Sequence, residues 1–255
     1  MLKRYVRFRG TNQECSWGEL VESKVLGLSD APWLGGTATG TAFPMNEVML
    51  LAPVQPSKIV CIGLNYHAHV AASFSADKPP EYPLIFLKPP SSIIGPHDKI
   101  VHPSQSERVD YEAELGVIIG KTAKSVAEAD AEQYIFGFTC VNDVTARDLQ
   151  KKDGQWSRAK GFDTFCPVGP WVVNELNWRD VLVEGIHNGK VAQSGRTSQM
   201  IFNLQYLVSH ISSVMTLYPG DLISTGTPSG IAPMKSGDTI EVRVEGIGSL
   251  ENSMA

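Results

Sequence analysis

The sequence is short of several features, and each absence narrows the function. No apolar run approaches the roughly 20 residues that a membrane-spanning helix needs. The four cysteines, Cys15, Cys61, Cys140 and Cys166, are far apart, and none forms a Cys-x-x-Cys motif. Cys61 and Cys140 lie inside apolar runs, so buried reduced thiols are expected rather than zinc ligands or disulfides. Basic charge is also scarce. Lys plus Arg number 22 against 27 Asp plus Glu, a net charge of −5, which argues against nucleic acid or an anionic membrane as the main partner. The basic residues near the start, Lys3, Arg4 and Arg7, have no apolar stretch behind them, as a signal peptide would. The segment Gly63-Leu64-Asn65-Tyr66 lacks the glycine spacing and the Lys-Ser/Thr ending of a phosphate loop. These traits lead us to expect a cytoplasmic protein whose partner is a small molecule. An anionic substrate would then need a local cation, supplied by a metal, Lys or Arg.

What is present suits a folded chain of 255 residues, 42% hydrophobic and 19% charged. Alternation predicts a strand over Tyr5–Arg9, and Trp33–Gly40 is loop-like. Prolines from Pro44 to Pro56 suit an extended linker. A boundary near residue 55 is expected, with a small β-rich N-terminal domain over 1–55 and a main domain over 56–255. Short apolar runs predict strands at Ile59–Gly63, Leu84–Leu87, Leu115–Gly120, Phe136–Val141, Val168–Val173, Leu222–Thr225 and Ile240–Val244. Asn188-Gly189 between apolar runs predicts a hairpin. Ser125-Val126-Ala127-Glu128 reads as a capping box opening a helix over Val126–Tyr134. Apolar periodicity predicts a second helix over Met200–Met215, with Ser198 as a candidate cap. Strands outnumber helices without regular alternation, which predicts a strand-dominated α+β fold.

The chemistry gathers around acidic residues. In a strand, Glu112 and Glu114 point to one face beside an apolar run, and two converging carboxylates need a cation, a shared proton or water. Oxygen ligands would suit Mg²⁺, Mn²⁺ or Ca²⁺. A solvated strand end would show the same Glu-x-Glu pattern. Asp143, at the end of a strand, is either a third carboxylate of such a site or a turn residue. His69 follows a strand and is a candidate general base, or else a histidine satisfied within the core. Lys160, and Thr227 in Gly226-Thr227-Pro228-Ser229-Gly230, offer donors to a substrate carboxylate, although the latter segment is also an ordinary turn sequence.

Taken together, these motifs resemble the fumarylacetoacetate hydrolase superfamily. The matching segments are Gly63–His69, Phe86–Pro90, Asp110–Glu114, Asn142–Asp148, Lys160–Asp163 with Cys166–Pro170, and Asp221–Pro228, and they stand in the family's order over roughly residues 58–250. The resemblance implies a mixed β-roll or sandwich catalytic domain with a few helices, and a homodimer. It implies one Mg²⁺ or Mn²⁺ per subunit, held by Glu112, Glu114 and Asp143. His69 is then the catalytic histidine near a lid, and Arg147, Gln150, Lys160 and Thr227 surround a bound 2-oxo acid, with Lys160 also catalytic. The N-terminal piece looks like a small accessory domain of bacterial members.

A metal-stabilised enolate of a small 2-oxo or 2,4-dioxo acid would serve decarboxylation, tautomerisation or C–C hydrolysis alike. The sequence departs from the family's hydrolytic pattern at one point. Hydrolytic members usually carry Glu three residues after the catalytic histidine, and here that position is Ala72, with Glu81 as a candidate replacement. This favours decarboxylation or tautomerisation of an oxaloacetate-type or hydroxyheptadienedioate-type substrate over hydrolysis of an acylpyruvate. A member that only binds a dicarboxylate is the alternative of another class.

Overall fold

The structure, a computed structural model, describes residues 2–10, 13–72 and 78–255, with the side chain of Ala72 also outside the description. Five strands come first: β1 (Arg4–Arg9), β2 (Cys15–Val21), β3 (Lys24–Leu28), β4 (Ala38–Pro44) and β5 (Met49–Leu51). Next are β6 (Ile59–Gly63), helix α1 (His67–Ala72), β7 (Leu84–Lys88), β8 (Ile93–Ile94), β9 (Lys99–Ile100), β10 (Val109–Asp110) and β11 (Ala113–Ile119). The middle of the chain forms β12 (Ile135–Asn142), β13 (Thr145–Ala146), α2 (Arg147–Asp153), α3 (Ser157–Lys160) and β14 (Cys166–Val173). The rest is β15 (Leu182–His187), β16 (Lys190–Arg196), α4 (Leu204–Val214), β17 (Leu222–Ser224), β18 (Thr239–Val244) and β19 (Gly248–Met254).

The fold is strand-dominated, with few helices. Among the described residues, twelve strands form one sheet whose main path runs β4-β3-β2-β1-β14-β12-β11-β17-β6-β7. A five-stranded sheet, β16-β15-β18-β19-β9, packs against its centre. The shared core explains the sandwich. Val117, Cys140 and Val173 of the large sheet lie in one cluster with Val183, Val242 and Leu250 of the small one. β11 is buried along its whole length and β12 from Gly137 to Asn142, so both strands read as largely apolar runs rather than as alternating ones. Cys61, Cys140 and Cys166 are buried and unpaired, and burial pushes their thiols up, so they stay neutral.

The expected hairpin forms between β15 and β16, with Asn188 and Gly189 both at positive φ, as a two-residue turn of that type requires. Three expectations need correction. The segment after Ser125 is a 3₁₀ stretch over Glu128–Tyr134, not an α-helix opened by a capping box. Ser125 adopts a left-handed φ of 51°, and the N–H groups of Ser125 and Val126 donate to Ser212 of α4, so no helical first turn forms there. Helix α4 starts at Leu204 rather than Met200. The N–H groups of Ile201 and Phe202 donate to Asn65, and Asn203 caps the helix by accepting from the Tyr206 N–H at 2.8 Å. Ser198 instead donates to Asp180. The Gly/Thr-rich stretch Trp33–Gly40 is only partly loop: Ala38–Gly40 begin β4, where Thr39 Oγ1 donates to Gly27 O across the pair.

Candidate active site

The ends of β11 and β12 create the site. These strands are antiparallel with Ala113 opposite Asn142, so the next pair outward is Glu112 and Asp143, joined by the Asp143 N–H to Glu112 O at 2.9 Å. Pleating puts Glu112 and Glu114 on the same side. One carboxylate oxygen from each of Glu112, Glu114 and Asp143 can be chosen so that all three lie within 4.8 Å of one another, and all three residues are buried. Among the described residues this is the one such cluster.

Each acid is held in place. β17 lies beside β11, and from it Ser224 Oγ donates to Glu114 Oε2 at 2.5 Å and the Gly226 N–H donates to the same oxygen at 2.8 Å. Gly226 has φ +99°, and a Cβ there would fall 2.7 Å from Asn65 Cβ, so this close approach needs glycine. Lys160 Nζ lies 2.5 Å from Asp143 Oδ2 and 3.0 Å from Glu112 Oε2. Arg147 is fixed at every nitrogen: Nε donates to Asp110 at 2.9 Å, Nη1 to Gln150 Oε1 at 2.6 Å and Nη2 to Glu112.

The electrostatics follow from this packing. Burial alone would raise the Glu112 carboxyl, but Lys160 and Arg147 beside it hold it well below the usual range. Burial, reinforced by the charges of Asp143 and Glu112, pushes Glu114 well above that range. Burial works against the Lys160 ammonium, but Asp143 and Glu112 outweigh it and raise its pKa. Burial lowers the pKa of His69, against the pull of Glu112, so its imidazole is neutral at pH 7. Three buried carboxylates, one of them pushed toward its protonated form by burial and by the charges of the other two, make a hard-oxygen donor set that a divalent Mg²⁺ or Mn²⁺ fits.

A cavity of about 180 Å³ opens onto these groups. Its walls include His69, Glu112, Glu114, Arg147, Gln150 and Lys160, so the structure brings together nearly all the residues singled out in the sequence. Thr227 also lines it, but its hydroxyl donates to Ala113 O at 2.8 Å and accepts from Gln193 Nε2 at 2.7 Å. In the His67-x-His69 pair, His67 is exposed and His69 buried, so the two do not act as one metal-binding pair. Glu81 is exposed and does not line the cavity.

Sequence reasoning missed two charged residues. Lys88, at the end of β7, is fully buried and donates to Asp143 Oδ1 at 2.6 Å and to Val144 O at 3.0 Å. The signal was there: a lysine inside an apolar strand needs an acidic partner. Asp110, also fully buried, accepts from both Arg108 and Arg147 and so sets the angle of Arg147.

Residues 58–255 match the family model for the fumarylacetoacetate (FAA) hydrolase C-terminal domain, and residues 3–53 match an Rv2993c-like N-terminal model. The chain is 52% identical over 208 residues to protein MJ1656 of Methanocaldococcus jannaschii, covering 82% of this chain and 87% of that one. It is 42% identical over 225 residues to the human mitochondrial oxaloacetate tautomerase FAHD2A, covering 83% and 71% respectively. The crystal structure of 2-hydroxyhepta-2,4-diene-1,7-dioate isomerase from Mycobacterium marinum superposes with a TM-score of 0.91 at 41% identity, over 99% of this chain and 98% of that one. With a family model spanning most of its length and the acidic site at the ends of paired strands, the chain belongs to the fumarylacetoacetate hydrolase family.

Proposed function

We propose that this chain is a Mg²⁺- or Mn²⁺-dependent enzyme that moves a proton on a small 2-oxo acid, a keto–enol tautomerisation or double-bond shift. The observation that carries the reading is the placement of His69: a buried, neutral imidazole lining the same cavity as the acidic cluster and Lys160. The names of the human relative and of the Mycobacterium marinum structure support the same reaction class.

Glu112, Glu114 and Asp143 would hold the metal, which when bound supplies a Lewis acid for the 2-oxo oxygen and neutralises the carboxylates. Lys160 adds an ammonium where negative charge develops on that oxygen, and as a fixed, buried donor it needs no reorganisation as the charge grows. Gln150 and Arg147 line the same wall and orient the acid end. The unprotonated ring nitrogen of His69 takes the proton from the carbon next to the 2-oxo group and returns it at the oxygen or further along the chain. Apolar walls from Ile62, Leu64 and Phe86 limit water around that proton. Decarboxylation of a 2-oxo acid with a β-carboxylate would use the same charge stabilisation without His69.

The test is an assay of chelator-treated protein, with Mg²⁺ or Mn²⁺ restored, on enol-oxaloacetate, oxaloacetate and acetylpyruvate, with products resolved by NMR. Tautomerisation should exceed both decarboxylation and hydrolysis, and His69→Asn should abolish tautomerisation while sparing decarboxylation. Metal-independent turnover, or hydrolysis of acetylpyruvate at higher kcat/KM than any proton shift, would overturn the reading.

A further inference from the structure

The cavity carries more positive charge than the acidic cluster explains. Two of its cations are deep: Lys160, whose side chain is 2% exposed, and Arg147, 12% exposed. Two others stand at its mouth. Arg108 is 46% exposed and Lys151 lies on the surface, yet both line the cavity. The deep pair is already engaged with acids and Gln150, nitrogen by nitrogen. Arg108 uses only Nε and Nη2, both on Asp110, and among the described residues its Nη1 has no hydrogen-bond partner.

The backbone sets these cations in a row. Arg108 precedes β10, which pairs with β13, and the Arg147 N–H donates to Arg108 O at 2.8 Å. Lys151 is four residues after Arg147 on α2, hence on the same helix face one turn on. The row therefore runs from the acidic cluster outward to solvent. Leu64, Phe86, Trp156 and Ile231 supply an apolar part of the same lining, with Lys160 Nζ 4.8 Å from the centre of the Phe86 ring. The Trp156 ring sits over Gly63, where a Cβ would come within 2.7 Å of it, and meets Phe86 edge-on at 5.2 Å. A ligand matching this surface has an anion at each end and a short hydrocarbon between.

We propose that Arg108 and Lys151 form a second anion subsite at the mouth of the cleft, one that receives the distal carboxylate of a 2-oxo dicarboxylic acid. The inference rests on the proposed function, which places the 2-oxo acid end at Lys160 and the acidic cluster. It makes these two residues determinants of specificity, with no part in the proton transfer. The mouth selects for the second charge, and the apolar wall selects for the length of chain that separates it from the first.

The test is calorimetric binding to the Mg²⁺-loaded protein of two non-reacting probes, pyruvate with one carboxylate and 2-oxoglutarate with two. Arg108→Gln and Lys151→Gln should each weaken 2-oxoglutarate roughly tenfold or more, the usual scale for losing a charge-assisted hydrogen bond, and leave pyruvate within about twofold. Lys152→Gln, on the same helix but off the cavity, is the control for long-range charge and should leave both probes within about twofold. If 2-oxoglutarate binds Arg108→Gln and Lys151→Gln as tightly as it binds wild type, the second subsite is refuted while the deep end stands. Equal weakening of the two probes by these substitutions refutes the subsite as well. If pyruvate binds neither wild type nor variants, the reading of the deep end fails, and this proposal with it.

Discussion

Replacing Lys88 by Met tests whether Asp143 depends on a buried counter-charge. The side chains are similar in length, so packing changes little, but Asp143 Oδ1 loses an ammonium at 2.6 Å and Val144 O loses a donor at 3.0 Å. Breaking a buried ion pair by removing one partner costs about 3–5 kcal/mol. Lys160 remains 2.5 Å from the other Asp143 oxygen, which places the cost near the lower end, about 3 kcal/mol. For a chain of this size that is a fall in Tm of about 6–12 °C. Calorimetry of metal-free protein reads it directly. Adding Mg²⁺ should narrow the gap between Lys88→Met and wild type, because a cation on Asp143 replaces the missing charge and no longer competes with Lys88. A Tm within about 2 °C of wild type in metal-free buffer would refute the argument that burial makes this pair mandatory. A gap that Mg²⁺ leaves unchanged would refute its electrostatic half.

Three further outcomes follow from other parts of the molecule. Asp238 accepts from Asn188, from the Lys235 N–H and from His187, and these bonds hold its carboxyl down at about 2, against an ordinary value of 3.8. A depressed folded-state pKa gives stability that is present above pH 4 and lost as pH falls toward 2, so the urea midpoints of wild type and Asp238→Asn should differ at pH 5 and converge near pH 2. A gap that persists at pH 2 would count against this. Asn65→Ala leaves Phe202 O, Thr225 O and the Phe202 N–H without the side chain that bonds all three, at about 1–3 kcal/mol for each buried group left unpaired. Chemical denaturation should show at least about 2 kcal/mol lost, and a smaller loss would mean that water replaces the amide. Ala72→Glu should raise acetylpyruvate hydrolysis relative to tautomerisation, since a carboxylate partner for His69 favours the imidazolium formed when water is deprotonated; an unchanged ratio of the two kcat/KM values would refute it.

The acidic site was largely legible because its parts obey local rules. Glu112 and Glu114 share a strand face by period, and the resemblance supplied Asp143. What spacing could not show was the register Ala113↔Asn142, which brings Glu112 and Asp143, 31 residues apart in the chain, into one contact. The apolar runs gave the strands for a similar reason: burial on both faces leaves a continuous signal. The two helices were misread because propensity competes with side-chain hydrogen bonding at a distance. Asn65 takes the first turn expected of α4, and Ser212 takes the N–H groups that a capping box at Ser125 would have ordered. Neither partner is near in sequence. Lys88 and Asp110 were overlooked because a single charged residue beside apolar ones has many bland explanations until its partner is seen.

The pairing of β1 with β14, Arg4 opposite Val173 and Tyr5 opposite Val172, has a meaning for solubility. β14 is buried along most of its length and neighbours β12, the strand that delivers Asp143. β8 already covers Cys166 and Pro167, so without the N-terminal strands it is the end of β14 at Val172 and Val173 that would stand as a short, apolar, unpaired edge, the kind of surface on which other chains add as extra strands. Arg4 over the Trp171 ring of β14, and Tyr5 and Trp33 against Phe136 of β12, fasten the N-terminal part to the large sheet. The small module thus acts as a selvedge on a woven cloth: it finishes the open end of the large sheet, and a chain lacking residues 1–55 should aggregate more readily than the full chain.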